Sequence, residues 1–295
     1  MRLHPLLLTL IAACGPVAEV PLFSATSAAP GPAVALQASP LLDRIAVIGA
    51  SASRGFGSPL GLADVLEVAI AGAPGTVLDA SDSRLFTDPE RRGAALVERA
   101  LGARPTLVVA IDYLFWFGYG HASSEDERSR RLERGLRLLE RFDCDLVVGL
   151  LPDMSQAVGL ALRGHQVPSA SHLAALNGRI RDWAAGRASV RILPLDRLMV
   201  DLRERRAIEV GERRVPAGQA LLQRDQLHPT AEGLAVLAAL VFETLGGTAY
   251  SAVSGGAWLG VDELSERVRQ AASERQERAQ RQREERRERR RSYRQ

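Results

Sequence analysis

The sequence predicts an α/β fold: a five-stranded parallel sheet with helices on both faces, in three layers, followed by a charged C-terminal helix. Two observations carry this. Five short apolar segments alternate with helical patterns between residues 43 and 247. The third of them, Leu107-Val108-Val109-Ala110-Ile111, is too apolar to face water on either side, as expected of a strand covered twice.

Each element has its own signal. Arg44–Gly49 is an apolar strand and Leu60–Ala71 an apolar helix. Thr76–Ala80 is the second strand, followed by a helix near Pro89–Leu101. Thr106–Ile111 is the third strand. Ser124-Glu125-Asp126-Glu127 is a capping box for a helix through Leu139, with Leu132, Leu136, Leu138 and Leu139 on its apolar side. Asp145–Leu151 is the fourth strand, stopped by Pro152. Ser171–Ala185 is a helix and Val190–Leu195 the fifth strand. Ile208–Val215 reads as a small hairpin turning at Gly211-Glu212, and Thr230–Leu245 as the last helix of the domain. No internal repeat is evident.

Composition narrows the function classes. The 295 residues are 46% hydrophobic and 25% charged, ordinary for a globular protein. All 38 basic residues are arginine. Residues 262–295 hold 12 arginines against 8 acids, which leaves 26 arginines against 27 acids in the rest. The body is nearly neutral and has no basic patch interleaved with aromatics, so no nucleic-acid partner is expected. The tail, rich in Arg, Glu and Gln, has favourable i,i+4 pairs at Glu274/Arg278, Glu277/Arg281 and Glu285/Arg289. It reads as a solvated single helix or a partly disordered segment, with attraction to an anionic surface, membrane or nucleic acid as the functional alternative.

The N-terminus resembles an export signal. Arg2 and His4 precede a short apolar run from Leu6 to Ala13, too short to span a bilayer. Ile11-Ala12-Ala13-Cys14 resembles a bacterial lipobox, in which Cys14 is lipidated and anchors the protein to a membrane. The expected organisation is a signal over 1–14, an Ala/Pro-rich linker over 15–42, one domain over 43–247, and a connector with the charged tail over 248–295. The expected location is the periplasm, or the membrane as an exported lipoprotein. Cys144 is the other cysteine, so no disulfide framework exists.

Two segments carry chemistry. Ile45-Ala46-Val47-Ile48-Gly49-Ala50-Ser51 is a buried strand running into a small-residue turn that ends in serine. Asp225-Gln226-Leu227-His228-Pro229 places an acid three residues before a histidine, just ahead of a helix. A serine hydroxyl needs an adjacent base, and a neutral imidazole needs a partner on one nitrogen so that the other can take a proton. Singly, Ser51 also reads as a helix cap or turn residue, and His228 as a hydrogen-bonded surface histidine. Together, at the two ends of one α/β pattern, they suggest a serine hydrolase.

Gly49-Ala50-Ser51 and Asp225-x-x-His228-Pro229 resemble motifs of the SGNH (GDSL-like) hydrolases, over residues 43–247. The resemblance implies a flavodoxin-like fold, a cofactor-free esterase or acylhydrolase, and a substrate that is a small-molecule or glycan ester, such as an acetylated sugar or a lipid. It implies Ser51 as nucleophile, His228 as base and Asp225 as its orienter.

The departures are informative. Ala50 stands where the family has aspartate. Asp79-Ala80-Ser81-Asp82-Ser83-Arg84 lacks the family's glycine, which leaves an amide of Ser81, Asp82 or Ser83 to serve the oxyanion hole. Asp112 occupies the place of an asparagine whose amide donates to the oxyanion. Three accounts are open for it: a protonated donor, a carboxylate turned toward Arg84 or a backbone cap, or the mark of a domain that binds without hydrolysis. A degenerate binding or scaffold domain and an O-acyltransferase are the alternative functions. Tyr113 to His121 carries five aromatics, among them Trp116, and reads either as a substrate pocket wall or as a plug under the next helix. No Walker sequence or dinucleotide glycine spacing is present, and His165 and His172 lack zinc-site spacing, so no metal site is expected.

Overall fold

The computed structural model describes residues 40–70, 76–211, 213–216, 220–246 and 261–292. The expected export signal, Cys14 and nearly all of the expected linker lie outside the described residues.

Five parallel strands form the main sheet: β1 (Arg44–Val47), β2 (Thr76–Asp79), β3 (Leu107–Ala110), β4 (Asp145–Gly149) and β5 (Val190–Leu193). Their order is β2-β1-β3-β4-β5. Ile45 pairs with both Val77 and Leu107, which fixes β1 between its neighbours. In this order the chain moves outward in opposite directions from β1 and β3. The loops leaving those strands therefore part, and a crevice opens between them. Ser51 follows β1, and Asp112 follows β3.

Strand alternation divides the interior into two cores. Ile45, Val47, Leu107, Val109 and Val147 face one side, and Ala46, Ile48, Val108, Ala110, Leu146 and Val148 the other. The first side is covered by α2 (Leu62–Ala69) and α8 (Ala231–Thr244), which follow the short α1 (Ser51–Arg54) and the later helices in chain order. The second is covered by α3 (Pro89–Gly102), α5 (Glu125–Leu139) and α6 (Ala170–Ala185). Asp88, Ser124, Ser169 and Thr230 each cap a helix by accepting a backbone amide hydrogen bond. The hairpin comprises β6 (Ile208–Val210) and β7 (Arg213–Val215).

Most of the aromatic run is a plug. It includes the one-turn α4 (Phe115–Gly118), and Tyr113, Phe117 and Tyr119 are fully buried. The Tyr119 hydroxyl donates to the Pro152 carbonyl at 2.6 Å and accepts from the Met154 amide at 3.1 Å, which pins the loop leaving β4. Besides the one-turn helices α1 and α4, the sequence does not foresee α7 (Leu195–Arg203), directly after β5.

The tail is a single helix, α9 (Val261–Ser292). Its beginning is not solvated. Val261, Leu264, Val268 and Ala272 are buried against the core, and Arg275 pairs with Asp64 at 2.5 Å. An apolar stripe at helical spacing survives within a charged composition, and burial of that stripe ties the helix to α2 and α8. From Ser273 to Arg286 the side chains are exposed.

Candidate active site

β1 ends at Val47, and Gly49 and Ala50 turn the chain into α1, which begins at Ser51. Only glycine fits at 49. A Cβ there would lie 2.0 Å from Asp112 Oδ1 and 2.5 Å from Ser53 Oγ. Asp112 is thus packed directly under the turn. Its Oδ1 accepts from the Ala50 amide at 3.0 Å and the Ser53 hydroxyl at 2.5 Å. Its Oδ2 accepts from the amides of Ala52 at 2.9 Å and Ser53 at 3.1 Å. Desolvation pushes this carboxyl's pKa up, against the pull of those four donors. Of the three accounts of Asp112, the geometry is that of a backbone cap, on the Ser51 turn and not toward Arg84.

This arrangement engages every amide from Ala50 to Ser53 except that of the nucleophile candidate. The Ser51 N–H makes no hydrogen bond among the described residues. A free amide on the serine itself lies next to any oxyanion that forms there.

The histidine arrives from the opposite end of the sequence, on the loop before α8. Ser51 Oγ lies 2.9 Å from His228 Nε2, and His228 Nδ1 lies 2.6 Å from Asp225 Oδ2. Asp225 Oδ1 accepts from the amides of Leu227 and His228, both at 3.0 Å. Gln226, between them, has φ of 57°, a left-handed turn that brings acid and imidazole together. Burial alone would raise the Asp225 pKa. The hydrogen bonds from the imidazole and the two amides outweigh it and hold this carboxyl below its ordinary range. Asp225 therefore stays ionised where an imidazole titrates, which fixes the proton on Nδ1 and leaves Nε2 to accept from the serine hydroxyl.

Two residues not singled out from the sequence complete the frame. The Phe56 ring lies on the His228 ring, with centroids 4.6 Å apart, although Phe56 is 55% exposed. Gln223 Nε2 donates to the carbonyls of Phe56 at 2.7 Å and Pro229 at 2.9 Å, and its amide donates to the His228 carbonyl at 2.8 Å. The amide of Phe56 in turn donates to the Ser51 carbonyl at 2.9 Å. Gln223 thereby ties the serine arm to the histidine arm.

The other expected pocket residues fare differently. Ser81 is committed within its own loop, its amide and hydroxyl both donating to Asp79 Oδ1, and Asp79 also pairs with Arg54. The Asp82 amide donates to the Gly49 carbonyl at 3.0 Å. Ser83 makes no hydrogen bond among the described residues, so its amide is the one left uncommitted in that trio. Trp116 is not a pocket wall. It is buried against Phe86 and Phe115 and does not line the cavity beside Ser51, which Phe115 reaches instead. His121 faces His165 edge-on, and His172 pairs with Glu125 at 3.2 Å, so neither joins this site.

That cavity, of about 100 Å³, has Ser51 and His228 in its wall. It continues past Asp112 and the ends of β3 and β4 to α7 and α8.

The sequence matches no family model and no curated protein. Solved structures do match. The lipase/acylhydrolase from Enterococcus faecalis is similar at a TM-score of 0.50 and 19% identity, over 70% of this chain and 96% of that one. The fold is that of the SGNH hydrolases. A GDSL-like lipase from Bacteroides thetaiotaomicron is similar at a TM-score of 0.45 and 16% identity, over 70% of this chain and 89% of that one. The psychrotrophic esterase EstA from Pseudoalteromonas sp. gives 0.45 and 13%, over 70% and 98%. At such identities the likeness extends to the SGNH fold, and the chemistry rests on the geometry of this site.

Proposed function

We propose that the chain is a serine esterase or acylhydrolase acting on a carboxylic ester. The observation that carries this reading is the continuous hydrogen-bonded line from Ser51 Oγ through His228 to Asp225. Ser51 Oγ attacks the ester carbonyl carbon as His228 Nε2 takes the hydroxyl proton. The carbonyl oxygen becomes an oxyanion next to the Ser51 amide. The intermediate collapses, the C–O bond to the alcohol breaks, and His228 returns its proton to the departing alkoxide. Water then attacks the acyl-serine, gives a proton to His228, and the acid leaves as Ser51 Oγ recovers that proton. Asp225 remains ionised throughout and stabilises the imidazolium formed in both halves.

Asp112 does not obstruct this route, because its oxygens are committed to the turn amides. The test is hydrolysis of p-nitrophenyl acetate and butyrate by the purified protein. The expected outcome is saturable turnover with one acid released per p-nitrophenol. A folded protein that turns over neither ester would contradict the reading and favour a binding domain.

A further inference from the structure

We propose that the cavity beside Ser51 is an acyl pocket for a linear saturated chain longer than butyryl, so that the substrate is a fatty-acyl ester and not an acetylated glycan. The inference rests on the serine-esterase reading and specifies its substrate. Among the described residues, the only polar side chains in the cavity wall are Ser51, Asp112 and His228. Ser51 and His228 are the reacting pair, and both Asp112 oxygens are engaged by the serine turn. A sugar ring in the cavity would find no uncommitted side-chain partner for its hydroxyls.

The remainder of the wall is almost wholly aliphatic. Leu195, Leu198, Met199 and Leu202 recur along one face of α7 at helical spacing, and Leu237 faces them from α8. Leu198, Leu202 and Leu237 are only half-buried, which leaves apolar surface uncovered beside the nucleophile. Apolar surface open to water beside a nucleophile is surface that an alkyl chain would cover with a gain in free energy. Methionine use points the same way. Beyond Met1 the chain has two methionines, Met154 and Met199, and both line this cavity. Thioether side chains adapt to a flexible alkyl guest.

The test is kcat/KM for p-nitrophenyl acetate, butyrate, hexanoate and octanoate. It is expected to rise by about fourfold per methylene beyond butyryl, the effect of burying one CH₂. Leu198→Trp and Leu237→Phe, each verified as folded by thermal melting, are expected to lower the octanoyl-to-acetyl ratio at least tenfold by filling the chamber. A flat or falling wild-type profile, with acetyl turnover intact, would overturn the acyl pocket and leave the esterase reading standing. So would an unchanged ratio in both folded variants. If no ester is turned over, the esterase reading fails and octanoate binding judges the pocket by calorimetry. Binding to wild type that is lost in Leu198→Trp supports it, and absence of binding to wild type removes it.

Discussion

Replacing His228 with alanine is expected to lower kcat on a short ester by on the order of 10⁴–10⁶-fold, with KM little changed. The size follows from what the imidazole does in the transition state. Without it, the Ser51 proton has no acceptor at 2.9 Å, and the departing alkoxide has no donor. Asp225 would remain, but held by its amide hydrogen bonds from Leu227 and His228 it serves only to orient a ring that is gone. KM is spared because the ring acts on charge that develops after binding. The measurement is steady-state kinetics with a melting curve as control, since a buried ring under Phe56 is being removed. A variant within tenfold of wild type would show that His228 is not the base.

The second large effect is Asp112→Asn, and its sign is the informative part. If Asp112 were a damaged oxyanion donor, asparagine would raise activity. The geometry predicts a loss. Both carboxylate oxygens accept from backbone amides, Oδ1 from Ala50 and Oδ2 from Ala52 and Ser53. Asparagine has one acceptor oxygen, so whichever way it is turned its NH₂ faces at least one amide N–H. An unsatisfied donor pair under the turn costs about 1–3 kcal/mol. The turn it deforms carries Ser51, and a displacement of about 1 Å at a nucleophile can cost about 10²-fold in rate. The expected outcome is a lower melting temperature and a kcat reduced by about 10–100-fold. A rate gain would return Asp112 to the oxyanion side.

The strand and helix sequence from Arg44 to Thr244 is legible because period-2 and period-3.6 patterns are strong where both faces of a sheet are covered. The proximity of Ser51 and the Asp225–His228 loop is legible as order along the chain. Their distance is not, because it depends on how α8 seats its N-terminal loop against α1. Asp112 is legible as a position after β3. Its direction depends on Gly49 leaving room for a carboxylate beneath the turn, a packing fact invisible in one sequence. The aromatic run is equally readable as wall or plug until Gly93 and Gly135 are seen to give Phe117 its space. α7 had a signal in Leu195, Leu198, Met199 and Leu202, obscured because the helix follows β5 without a loop. The buried stripe of α9 was hidden in the same way, by the charges around it.

The central claim, that Ser51 is a nucleophile activated through His228, is tested most directly by intact-protein and peptide mass spectrometry after treatment with a fluorophosphonate. Attack by Ser51 Oγ on phosphorus expels fluoride and leaves a stable adduct in place of the acyl-enzyme. The account predicts one adduct per chain, on the peptide containing Ser51, absent in Ser51→Ala and formed far more slowly in His228→Ala. An ester-hydrolysing protein labelled at another residue, or labelled equally in Ser51→Ala, would contradict it.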